Sequence, residues 1–167
     1  IVMPTLRLTA AISVRNANFP VLLSFESTLE SELYAGMQTP PPVRVPKPAG
    51  WPADGVMIGN ATANGRWGTM LALAPYHDWQ GYTAMSFVVA SGSDEPVDIG
   101  VMLRSKKKNF YRQFTARPDP RRVRIDFADI IAKRPDFDLA DVRTLVVSAA
   151  EPGEPYEVLF DDFRLEN

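Results

Sequence analysis

The stretch Val142 to Asn167, VRTLVVSAAEPGEPYEVLFDDFRLEN, decides how the chain is read. Thr144 to Ser148 is a short apolar run of mostly β-branched residues; Pro152, Gly153 and Pro155 break it, and Tyr156 to Leu165 starts again as an extended segment. Two strands and a turn are predicted. Asp161 and Asp162 fall near the end of the second strand, where β-propensity is poor, so something other than propensity must account for them.

Immediately upstream, Ala84 to Ala90, Val97 to Arg104, Phe110 to Ala116 and Arg121 to Phe127 read as strands separated by SGSDEP, SKKKN and RPDP, turn signals at the spacing of a sandwich or barrel. Ala128 to Arg134 predicts a short helix stopped by Pro135, and Asp138 to Asp141 a second helical turn.

Nearer the start, Thr5 to Val14 alternates Leu6, Leu8, Ala10 and Ile12 with polar residues, the period-2 pattern of a half-buried strand. Residues 1–20 are therefore expected to be an extension contributing an edge strand, with a polar turn at Arg15 to Asn18, and residues 21–167 to form the domain proper. Val21 to Glu26 predicts the next strand. Ser27 to Tyr34 reads either as a short helix with Ser27 and Glu30 as a capping box, or as an acidic loop. Thr39 to Pro48, with five prolines, is read as an extended surface connection, the alternative being a docking segment for a proline-recognising partner. Gly55 to Gly59 and Trp67 to Leu73 read as strands joined by the polar loop Asn60 to Arg66. The sum is an all-β chain, an antiparallel β-sandwich with one or two short helical turns.

At 167 residues the chain suits one domain. A net charge of −2 argues against capture of nucleic acid or another polyanion. No cysteine is present, which removes disulfides, thiolate metal sites and cysteine nucleophiles and leaves the redox compartment open. No apolar run is long enough to span a bilayer, so direct membrane insertion is not expected. The first residue is Ile, which suggests a processed protein or a domain of a larger polypeptide. His77 is the only histidine and no GxSxG, HExxH or phosphate-cradling loop occurs, so no enzyme is expected. A pair of carboxylates across a cleft would be the one route to a glycosidase.

The succession DWQGYTAMSFVV, DIGVMLRS, NFYRQF, RRVRIDFADIIAKRPDFDLADVRTLVV and VLFDDFRLEN, preceded by LLSFES at Leu22 to Ser27, resembles the galactose-binding-like jelly-roll modules of carbohydrate-binding proteins, those of the family 11 kind above all. It is also similar to complex I intermediate-associated domains. The resemblance covers about Val21 to Glu166. It implies a jelly-roll β-sandwich, an extracytoplasmic location, and a non-catalytic module that binds a polysaccharide or oligosaccharide on a concave sheet face. A protein-interaction or assembly domain on the same fold is the alternative. It further implies a structural calcium ion between the opening-strand Glu26 and the closing-strand Asp161 or Asp162, calcium preferring several hard oxygens. Without an ion, Asp161 would cap backbone amides and Asp162 would be solvated.

A sugar site combines a flat aromatic with planar polar side chains. If Val97, Ile99, Val101 and Leu103 face the core, Asp98, Met102 and Arg104 lie on the outer face. If Phe110 and Phe114 also point inward, Tyr111 and Gln113 join them, at the cost of burying the stem of Arg112. Asp98, Met102, Arg104, Tyr111 and Gln113 are thus the candidate ligand-binding residues, an ordinary solvated face being the bland reading. Trp79 is expected in the core or at a sheet edge and Trp67 packed. Trp51 is read as a plug over one end of the sandwich, or else as an exposed sugar platform. Lys106 to Lys108 reads as a solvated hairpin tip, an anionic-glycan or lipid-headgroup contact being the alternative.

Overall fold

The computed structural model describes residues 2–36, 43–46, 49–51, 57–60, 68–72, 76–106, 108–149 and 157–167. Trp67, the loop 61–66, the turn 150–156 and most of the proline-rich stretch lie outside them. The elements run α1 Val2–Asn18, β1 Val21–Leu23, a 3₁₀ helix Thr28–Leu33, β2 Tyr34–Gly36, β3 Val43–Arg44, β4 Met57–Asn60, β5 Gly68–Ala72, β6 Ala84–Ser91, β7 Val97–Ser105, β8 Asn109–Ala116, β9 Arg121–Asp126, α2 Phe127–Lys133, a 3₁₀ turn Leu139–Asp141, β10 Val142–Ala149 and β11 Glu157–Glu166.

The strands form two antiparallel sheets. One runs β3-β4-β11-β6-β9, with β1 also paired to β11; the other runs β2-β5-β10-β7-β8. This is the predicted β-sandwich. The two strands of the quoted stretch part company: β10 lies at the middle of one sheet and β11 at the middle of the other. Between the sheets Phe25, Phe87, Phe160 and Phe163 form an aromatic centre, with Phe87 and Phe163 stacked at 4.9 Å.

The acidic pair is accounted for by a β-bulge. Asp161 sits opposite Val88 and Arg164 opposite Ser86, so β11 spends one residue more than β6, and Asp162 takes φ 51°. Asp tolerates that left-handed conformation better than a β-branched residue. Without the extra residue, strict alternation would turn Phe163 and Leu165 outward; with it, both are buried beside Phe160.

The N-terminal segment corrects the sequence reading. Residues 2–18 form an α-helix and contribute no edge strand. The buried positions Ala11 and Arg15, with half-buried Ile12 and Phe19, follow the helical period, whereas Leu6 and Leu8 of the period-2 pattern are exposed. The hydroxyls of Thr9 and Ser13 donate to the carbonyls of Thr5 and Thr9, four residues back, so these polar residues are satisfied within the helix.

Arg15 docks the helix. Its Nε donates to the Leu22 carbonyl at 2.8 Å, and burial lowers its pKa to about 10, offset in part by Glu30 and Tyr76. Ser27 and Glu30 form the capping box, which resolves 27–34 as helical rather than as an open loop.

Candidate functional site

The outer face of the β7/β8 pair carries the residues singled out for ligand binding, in the register their alternation requires. Ile99, Val101, Leu103 and Phe110 are buried in the core and Phe114 packs against it. Facing outward, Arg104 is paired with Asn109, Met102 with Tyr111, Gly100 with Gln113 and Asp98 with Thr115. These four rungs extend about 20 Å along the sheet edge. The burial of Arg112 is met as anticipated: its guanidinium lies 5.1 Å from the Phe114 ring centre and 3.6 Å from Asp129.

Tyr111 is the prominent feature. Half of it is solvent-exposed, and its phenol end lies across Gly100. A Cβ at Gly100 would stand 2.5 Å from the Tyr111 Oη and 2.6 Å from Cε2, so the ring rests where any other residue would have a side chain. A glycine inside a strand is the sequence signal for a close approach of this kind. Gln113 is exposed beside Gly100, and the Thr115 hydroxyl donates to Asp98 Oδ1 at 2.7 Å at the far end of the row. The Arg104 Nε is shielded from solvent and makes no hydrogen bond among the described residues. The adjoining β10 adds Thr144 opposite Arg104, Val146 opposite Met102 and Ser148 opposite Gly100.

The carboxylates proposed as calcium ligands separate into two environments. Asp162 is buried, contrary to the solvated alternative, and is held by two guanidinium groups: Arg122 Nη2 donates to Oδ2, and Arg164 Nε to Oδ1 at 2.9 Å. That donor set leaves Asp162 unsuited to a cation. The interactions continue from Arg122 through Ser86 and Glu166 to Arg124 and Asp126, crossing β11, β6 and β9.

Asp161 is buried and, among the described residues, has no cationic partner. Its Oδ2 accepts from Trp51 Nε1 at 3.1 Å and its Oδ1 from the Asp162 amide at 2.7 Å. Burial pushes its pKa up to about 7 against these two donors, with the charges of Asp162 and Glu26 adding to the rise. Glu26 lies beyond the end of β1 and is exposed, so the expected opening-strand position falls outside the strand. Among the described residues no three His, Cys, Asp or Glu side chains gather as a metal site. Glu26 and Asp161 alone fit a cation in charge, and backbone carbonyls and water would have to complete its shell.

Trp51 is neither a plug over the sandwich end nor an exposed platform: 4% exposed, it packs on Val88 and Ala90 on the outer face of the β11/β6 sheet. Trp79 is fully buried, stacks on Phe127 at 5.5 Å and donates from Nε1 to the Tyr76 carbonyl. His77 stands 3.9 Å from Asp141, whose carboxylate is already engaged by Arg143.

The sequence matches no protein-family model and no curated protein. Solved structures do match. The family 11 carbohydrate-binding module from Clostridium thermocellum, in complex with a β-1,3-1,4-mixed-linked tetrasaccharide, superposes with a TM-score of 0.67 over 88% of this chain and 94% of that one, at 18% identity. A family 30 carbohydrate-binding module of a C. thermocellum cellulosomal cellulase gives 0.55 over 76% and 82%, at 20% identity. An exo-β-agarase gives 0.70 over 87% of this chain and 24% of its own, at 11% identity. These likenesses define the class: a jelly-roll β-sandwich with the fold of family 11 carbohydrate-binding modules.

Proposed function

We propose that this domain is a non-catalytic carbohydrate-binding module that takes a glycan along the outer face of β7 and β8. The observation that carries the reading is the half-exposed Tyr111 ring resting on Gly100. A pyranose C–H face packs on such a ring, as apolar surface on a preformed platform. Gln113 and Arg104 flank it with planar amide and guanidinium donors for hydroxyl groups, and Met102 and Asp98 complete the row.

The proposal includes an extracytoplasmic location, where polysaccharides are met, and a calcium ion held by Glu26 and Asp161 as a structural element. The calcium would supply the positive charge that buried Asp161 lacks.

Titration calorimetry with neutral β-glucan and agaro-oligosaccharides tests the glycan reading. Tyr111→Ala is expected to weaken binding at least tenfold with the thermal midpoint unchanged, and Tyr111→Phe to retain most of it. Equal affinity of wild type and Tyr111→Ala would remove this face from the site.

A further inference from the structure

A cleft of about 510 Å³ opens where the start of β8 meets the end of α2, lined by Asn109, Phe110, Tyr111, Lys133 and Arg134. Its lining combines a buried aromatic, an exposed aromatic, an amide and two cations, with no carboxylate among the described residues. The nearby acids are already engaged, Asp136 with Lys108 at 3.3 Å and Asp129 with Arg112 at 3.6 Å. Lys133 and Arg134 carry no ion pair among the described residues, and two positive charges are left over at the mouth. Carbonyls at the end of α2 favour cations in that place, which helps hold both side chains there.

Tyr111 belongs to the cleft and to the sheet face alike. We infer that the cleft is a charge-reading subsite of the Tyr111 face, selecting a glycan whose neighbouring residue carries a carboxylate or sulfate group. The inference rests on the proposed glycan-binding face and gives it a substrate class. The acidic group would meet Lys133 and Arg134 at the rim, Arg134 in a bidentate fork, while the sugar ring packs on Tyr111. Asn109 is placed to hydrogen-bond a hydroxyl. A cleft of this volume suits one ring with one charge better than the broad contact of a membrane surface.

The test uses pairs of polymers differing in the charged group: polygalacturonate against its fully methyl-esterified form, and carrageenan against its desulfated form, by affinity electrophoresis and calorimetry. Wild type should prefer the acidic member of at least one pair by about five- to tenfold at 50 mM salt, and less at 200 mM. Lys133→Gln with Arg134→Gln, both exposed positions, should remove that preference and leave neutral binding and the circular dichroism spectrum unchanged. Neutral binding through Tyr111 without acid preference, or a preference that survives the double substitution, overturns this inference and leaves the proposed function standing. Absence of binding to any glycan overturns both. Sedimentation with phosphatidylglycerol vesicles, when neither acidic polymer binds, would assign the charge to lipid and overturn it as well.

Discussion

Trp51 Nε1 donates a hydrogen bond to Asp161 Oδ2 at 3.1 Å, joining residues 110 positions apart and covering the outer face of the closing sheet. The indole shields the carboxylate from water, and that burial keeps the Asp161 pKa up at about 7, from 3.8. An acid whose folded-state pKa is raised binds its proton more tightly in the folded form. Its favourable contribution is complete below pH 3.8 and is lost as pH rises toward 7. In chelator, the stability of wild type relative to Asp161→Asn should fall over that window, by on the order of 2–4 kcal/mol. Calcium at millimolar concentration should restore much of the loss in wild type and none in the variant. Urea denaturation at pH 4, 5.5, 7 and 8 reads both effects; a flat difference across pH would contradict the shift.

Asp162 combines a strained backbone with two ion pairs. Its φ of 51° favours glycine, while its carboxylate joins Arg122 and Arg164. Asp162→Gly loses the ion pairs and relieves the backbone; Asp162→Ala loses the ion pairs and keeps the strain. The alanine variant should therefore be the less stable of the two by about 1 kcal/mol. Both losses are moderated because Arg122 and Arg164 are each more than a third exposed and water can take up their donors. Equal stabilities in urea would mean that the bulge has relaxed in both.

The sandwich was legible because β7 and β8 alternate between a core and a solvated face, a pattern that fixes register as well as strand identity, and because β10 is a β-branched apolar run. Tyr111, Gln113 and Arg104 fell together for the same reason. The helix α1 was not legible, since LRLTAAIS satisfies a period of two, and only docking through Ala11 and Arg15 selects the helical face. Tertiary contacts decide such a case. The bulge and the indole over Asp161 are likewise long-range outcomes, invisible in a local pattern.

The acidic residue that matters most to the opening segment is Glu30, not the exposed Glu26. Glu30 is buried and accepts from the Ser24 amide at 2.8 Å, the Ser24 hydroxyl and the Ser27 amide. Glu30→Ala leaves those donors unmet and removes a counter-charge from buried Arg15. A loss of about 3 kcal/mol is expected. Glu26→Ala without calcium should cost less than about 0.5 kcal/mol, as an exposed position. Thermal or urea unfolding of the two variants separates them.

Gly100→Ala isolates the platform from the aromatic itself. The added methyl would occupy space now filled by the Tyr111 phenol end, at 2.5 Å from Oη, and the ring is free to move because its outer side faces water. Gly100 sits in the middle of β7, where alanine is otherwise the better strand residue, so stability should change by less than about 1 kcal/mol. Glycan affinity should fall about as far as in Tyr111→Ala, because a ring tilted off the sheet no longer presents its face to a pyranose. If calorimetry finds Gly100→Ala binding as tightly as wild type while Tyr111→Ala does not, contact with the ring matters and its seat on Gly100 does not.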